Sequence, residues 1–188
     1  MFREKIERIL LRIKGEMTLS GEVTLKALIK RGLQIGDNCN IGPGVIIDPP
    51  HCWHIEIGNN VTVAPNVHIL AHDASTKKHL GYTRIGKVKI GDNVFIGAGT
   101  IVLPHVTIGS NTIIGAASLV SQDIPENVVV AGNPARILCT LESFLKKHRE
   151  QIEHLPCFDE TYTLKKGVTP EMKIEMNQSM VDGLGYIV

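Results

Sequence analysis

The chain has 188 residues, a formal net charge of +1 and only 4% aromatic side chains. That length fits one domain with a modest appendage. The balanced charge lacks the dense basic run of a nucleic-acid binder, and no stretch approaches the roughly eighteen continuous apolar residues of a membrane span. The opening MFREKIERILLRIKGE is charged throughout and lacks the uninterrupted apolar core of a secretory signal, so the expected location is cytoplasmic. Cys39, Cys52, Cys139 and Cys157 show neither metal-ligand spacing nor a disulfide framework.

In chain order, residues 2–14 place Phe2, Ile6, Ile9, Leu10 and Ile13 on one helical face with charges opposite, which predicts a short helix packed on the protein's own surface or on a neighbouring subunit. A second short helix is expected after Ser20, stopping at Gly32, so that residues 1–34 form a helical segment. From Ile35 the pattern changes to a period of six. IGDNCN and IGPGVI lead to Ile47, IGNNVT, VAPNVH and ILAHDA start at Ile57, and IGDNVF, IGAGTI, VLPHVT, IGSNTI, IGAASL and VSQDIP follow from Ile90. An aliphatic residue opens each hexad and a small or β-branched one usually sits four later. Neither an amphipathic helix nor a two-sided strand has this period. It predicts a parallel β-helix over residues 35–138, whose coils bury a column of Ile and Val. Gly and Asn after the aliphatics suit corners that need positive φ. Cys39 fills an inward slot as a small hydrophobe.

The Gly-x-Asn corner recurs at 36–38, 58–60, 91–93 and 109–111, in steps of 22, 33 and 18 residues. Against an 18-residue coil, the surplus of 4 and then 15 residues places two insertions on the third row, near 48–54 (DPPHCWH) and 74–87 (ASTKKHLGYTRIGK). Both leave one edge of the prism, and binding residues gather on such loops. Beyond Ile124, VVVAGNPARIL reads as a final strand and a Gly-Asn-Pro turn. Residues 139–188 then read as a helical extension. Thr140 would cap a helix running to about His154, with Leu141, Phe144, Leu145 and Ile152 buried and Pro156 as its break. Thr169-Pro170-Glu171 starts a last helix of about three turns that Gly183 would stop.

The pattern breaks at ILAHDA, where Asp73 occupies a slot held elsewhere by Val, Thr or Ser, at the start of the longer insertion. A local rule broken beside an insertion marks a functional position. His72 there suits general-base chemistry at neutral pH. The residues alone leave open an ordinary corner histidine beside a solvated carboxylate.

AHDASTKK, VKIGDNVFIGAGTIVLP, VTIGSNTIIGAASLVSQDIP and VVVAGNPARIL resemble the hexapeptide-repeat acyltransferases, in particular the galactoside/maltose, xenobiotic and surface-polysaccharide O-acetyltransferases. The resemblance covers residues 33–138. It implies an all-β core wound as a left-handed parallel β-helix, acetyl-CoA as co-substrate without a metal, and a homotrimer with sites between neighbouring prisms. It implies a sugar or glycan-precursor acceptor, no nucleic acid and no membrane insertion. Position by position, His72 matches the base that takes a proton from the acceptor hydroxyl. Phe95, Ala98, Ala116, Ser121 and Gln122 match positions along the coenzyme A groove, and Arg136 matches a position used for its phosphates. Gln122 stands where relatives often carry Lys or Arg, and Cys139 where a second Arg can occur. Weaker phosphate contacts, or a substitute from Lys146 or Lys147, are therefore expected. His105 takes a slot commonly Gly and reads as an exposed corner residue or as part of the cofactor channel. For the acceptor, the resemblance points to Asp48 as a carboxylate binding substrate hydroxyls. On the loops, Asp73, Lys77, His79 and Tyr82 are further candidates to touch acceptor or cofactor, and Trp53 is a flat surface for a sugar ring or a plug at a subunit contact.

Two other function classes compete. A zinc enzyme of the γ-carbonic-anhydrase type shares the fold, and His51, His54, His68, His72 and His105 supply raw material. A non-catalytic hexapeptide protein could serve as an assembly module.

Overall fold

The computed structural model describes residues 18–19 and 23–188, so the helix expected over 2–14 lies outside the described residues. The chain divides into two compact units, residues 1–141 and 142–188.

The first unit is a triangular prism of short parallel strands. Row one stacks Gln34–Ile35, Ile55–Ile57, Val88–Ile90 and Thr107–Ile108, bringing Ile35, Ile57, Ile90 and Ile108 into register. Row two aligns Ile41, Val63, Ile96, Ile114 and Val130. Row three aligns Ile47, Ile69, Val102 and Val120. Apart from Val130 these are the hexad-opening residues, and all are buried. At about 1.5–3 kcal/mol for each fully buried aliphatic side chain, the columns are the main stabilising term. Corner hydroxyls that point inward are satisfied by backbone: Thr100 Oγ1 donates to Gly115 O at 3.1 Å and Thr112 Oγ1 to Pro125 O at 3.1 Å. Cys39 packs against the core, and burial pushes the Cys39 and Cys52 thiols up, which keeps them protonated and inert.

The Gly-x-Asn corners divide their labour. Positive φ falls on Asn38, Asn60, Asn93 and Asn111, all between 54° and 56°. The glycines before them are required instead by close stacking: a Cβ on Gly91 would meet Ser110 N at 2.7 Å. The asparagine side chains form an external ladder in which each Nδ2 donates to the next Oδ1, from Asn38 through Asn60, Asn93 and Asn111 to Asn127, at 3.0–3.2 Å.

Both ends of the prism are closed. The helix Leu25–Lys30, capped by Thr24 Oγ1 accepting from Ala27 N at 3.2 Å, puts Leu25, Leu28 and Ile29 into the core. It starts five residues after Ser20 because Val23–Thr24 pairs with Thr18–Leu19 instead. At the other end Val128–Ala131 adds to row two and Arg136–Thr140 folds back on it antiparallel.

In the second unit a helix runs Leu141–Ile152 from the boundary, and Cys157–Phe158 pairs in parallel with Tyr186–Ile187. Helix Pro170–Ser179 is capped by Thr169, and ends before Gly183. Only half of the stripe expected to be buried is covered: Leu141 and Phe144 are half-buried, while Leu145 and Ile152 are exposed. The working face is Phe144, His148 and Gln151, where His148 Nδ1 and Gln151 Oε1 bond the Tyr186 hydroxyl at 2.8 and 2.9 Å.

Candidate active site

Rows one and two meet at tight corners, as do rows two and three. Only the corner from row three to row one carries insertions, and there the first two coils stack their loops. Asp48 follows Ile47 directly, and its backbone amide bonds Ile69 O at 2.9 Å, which sets it against the turn leading to His72. The Asp48 side chain is 1% exposed. Its Oδ2 accepts from Ala71 N at 2.7 Å and faces His72 Nδ1 at 2.6 Å. A carboxylate can only accept, so Nδ1 is the donor, and in the neutral ring Nε2 holds the lone pair. The His72 side chain is 33% exposed, so the imidazole is held from behind and open in front.

His72 and Asp73 form one strand of a small hairpin with Arg84 and Ile85, with His72 opposite Ile85 and Asp73 opposite Arg84. Asp73 accepts from Ser75 N at 2.8 Å, and that amide, with the Ser75 hydroxyl, holds its carboxyl below the usual range; Arg84 adds a smaller effect from 3.7 Å. The imidazole opens onto a cleft of about 730 Å³ whose walls include Leu70, Leu103, Pro104, Arg84 and Ser121. This volume suits a small-molecule site. Behind it, His51 packs its ring 4.9 Å from that of His72 and 6.2 Å from that of His54. Among the described residues no three His, Cys, Asp or Glu groups converge as metal ligands.

Comparison with known proteins fits this geometry. The family model described as "Bacterial transferase hexapeptide (six repeats)" matches residues 87–122, and "Hexapeptide repeat of succinyl-transferase" matches 27–49 and 32–71. The chain is 38% identical to protein CapG of Staphylococcus aureus over 66% of this chain and 76% of that one. It is 34% identical to the galactoside O-acetyltransferase of Lactococcus lactis over 73% of this chain and 78% of that one. The chain belongs to the hexapeptide-repeat acetyltransferases. The crystal structure of a maltose O-acetyltransferase from Clostridium difficile 630 superposes with a TM-score of 0.50 at 32% identity, covering 73% of this chain and 85% of that one. The coils of this acetyltransferase are accordingly those of a left-handed parallel β-helix.

Within the acetyltransferase fold, His72, Asp73 and Ser121 line one cleft, and Gln122 is exposed next to Ser121 on the same corner. Phe95 lies outward on row two, 44% exposed, while Ala98 and Ala116 are exposed at the corner between rows two and three. The outward side chains of row three (Ile46, His68, Ile101 and Leu119) stand between those positions and His72. Arg136 is exposed on the closing strand, its Nη1 donating to Ala135 O at 3.1 Å. Tyr82 is 80% exposed at the loop tip. Asp48, expected to meet acceptor hydroxyls, is buried with its carboxylate against His72. His105 takes a φ of 67°, which explains why Gly suits that slot, and its ring is exposed. Sequence reasoning missed Arg84, and it named His51 only as a metal-ligand candidate, not as a ring packed on His72. The pairing of Arg84 with Asp73 needs a hairpin that the hexad period does not encode.

Proposed function

We propose that this protein transfers an acetyl group from acetyl-CoA to a hydroxyl of a sugar or glycan precursor, with His72 as general base and Asp48 as its positioning residue. The observation that carries the reading is the bond of 2.6 Å from His72 Nδ1 to the buried Asp48 carboxylate, which leaves the opposite ring nitrogen facing the cleft. The cleft fits a thin acyl-carrying arm, because Leu70, Leu103 and Pro104 give it an apolar wall and Ser121 a small polar one. Bound acetyl-CoA would supply the activated acyl group as a thioester. His72 Nε2 takes the acceptor's hydroxyl proton as that oxygen forms its bond to the acyl carbon. It returns the proton to the sulfur as the carbon–sulfur bond breaks. Asp48 holds the ring in the tautomer that can do this and offsets the imidazolium charge while it lasts. Galactoside and maltose acetyltransferases among the relatives favour a sugar acceptor.

The remaining residues divide between two corners of one prism. His72, Ser121 and Gln122 occupy one, and Ala98 and Ala116, with Phe95 nearby, flank the other. A homotrimer that sets the second corner of one prism against the first corner of its neighbour joins both sets along one coenzyme A channel, with Arg136 toward the phosphates. Asp73, which lines the cleft, and Tyr82, exposed on the loop, would meet the acceptor.

The test is release of coenzyme A thiol from acetyl-CoA with galactosides and maltose as acceptors, using the wild type and His72→Ala. Acceptor-dependent release that His72→Ala abolishes supports the reading. Equal rates in both proteins would remove His72 from the chemistry.

A further inference from the structure

Row one presents Gln34, Glu56, Lys89 and Thr107 outward in register. Beside them, beginning at Ile85, the residue after Arg84 of His72's cleft, lies a second cavity of about 720 Å³ that shares no lining residue with the first. It follows the stack from Gln34 to Thr107, three strand spacings of about 4.8 Å each, or roughly 14 Å. That is an elongated groove rather than a hole for one ring.

Its chemistry is specific. Trp53 from the first insertion is 49% exposed in the wall, and Ile85 from the second is 57% exposed. An indole left open to water in a groove is a platform for the C–H face of a ring that also carries polar groups. Around it stand two carboxylates, Glu56 and Asp123, and two ammonium groups, Lys87 and Lys89, whose charges cancel. Glu56 and Lys89 approach only to 3.8 Å, with side chains 52% and 60% exposed, so both keep bonding capacity. A sugar hydroxyl donates to a carboxylate and accepts from an ammonium group, and needs no net charge opposite it. A polyanion would find Glu56 and Asp123 repulsive.

The groove also borders the residues that hold His72 in place. Ile85 in its wall is the direct cross-strand partner of His72. Ring centroids step from Trp53 to His51 at 5.5 Å and from His51 to His72 at 4.9 Å, with His54 of the groove 5.6 Å from Trp53.

We propose that this groove binds the portion of a neutral oligosaccharide acceptor beyond the sugar that is acetylated, with one sugar ring stacked on Trp53. The proposal rests on the sugar O-acetyltransferase reading and extends it from a single ring to a chain.

Trp53 is the sole tryptophan, so indole fluorescence reports occupancy without any reaction. Wild-type protein would be titrated with maltotetraose, cellotetraose and xylotetraose, and with glucose as a single-ring control. The expected result is a saturable change in emission with at least one tetrasaccharide, at a midpoint at least tenfold lower than for glucose. A Glu56→Ala, Lys89→Ala double variant, which retains the indole, should raise that midpoint fivefold or more. In the thiol-release assay Trp53→Ala should raise KM for the bound tetrasaccharide about tenfold relative to KM for glucose, and Trp53→Phe should recover most of the difference. Binding without thiol release would keep the groove and sink the transferase reading. Thiol release with glucose, but no emission change with any tetrasaccharide, would overturn the groove and leave the transferase. Silence in both assays overturns both.

Discussion

Asp48→Asn separates two roles for the same carboxylate. The substitution keeps the side chain's shape and its ability to accept from Ala71 N, but removes the charge facing His72 Nδ1 at 2.6 Å. A hydrogen bond to a charged partner contributes about 1.5–3 kcal/mol. The His72 side chain is 33% exposed, so water offsets part of the loss and the lower half of that range applies. About 2 kcal/mol corresponds to roughly a 30-fold fall in kcat. The assay is steady-state thiol release at saturating acetyl-CoA with the acceptor varied, accompanied by a thermal melt to verify folding. A fall in kcat with an unchanged acceptor KM fits a residue acting through His72. An unchanged kcat with a raised acceptor KM would refute that reasoning and return Asp48 to the acceptor-binding role the sequence implied.

Four further outcomes are expected. His72→Ala should lower kcat by about 10²–10⁴-fold, the usual worth of a general base, while calorimetric affinity for acetyl-CoA stays near wild type. Arg136→Ala should weaken coenzyme A more than dephospho-coenzyme A; equal losses would move the phosphate contact elsewhere. Ala98→Phe, on the corner away from His72, should raise KM for acetyl-CoA with the fold intact if a neighbouring prism completes the channel, and an unchanged KM would argue for a site within one chain. Asn93→Ala retains a φ of 55° without the side chain that makes it tolerable and breaks two ladder bonds. It should cost about 1–2 kcal/mol in denaturant unfolding, with Asn93→Gly milder.

The prism was legible because its period is written in the sequence: counting from each Gly-x-Asn corner fixed the register of Ile35, Ile57, Ile90 and Ile108 and placed both insertions on one edge. His72 was legible because Asp73 breaks the pattern beside an insertion. Asp48 was found but its contact with His72 was not, since that contact spans 24 residues and arises only when the first coil stacks on the second. The same counting puts Asp48 directly over Leu70, so that signal was present. The hairpin holding Arg84 against Asp73 left no period to read. In the tail, apolar spacing on the helix Leu141–Ile152 found Phe144 but not the rest of the packed face, because a polar pair on the Tyr186 hydroxyl, His148 and Gln151, and not an aliphatic seam, holds it.

The closed ends of the prism have a consequence for solubility. Parallel strands in register, with identical asparagines bonded coil to coil, have the geometry of a cross-β filament wound into a coil. Nothing in the repeat itself sets its length. What stops growth is that Val128–Ala131 takes the last free edge of row two, the antiparallel Arg136–Thr140 turns that edge away, and Gly132 and Ala135 pair with Leu119 on row three. These residues act as a terminator against edge-to-edge polymerisation. A chain truncated before Val128 would expose open strand edges and is expected to aggregate, a role for the VVVAGNPAR segment separate from any in coenzyme A binding.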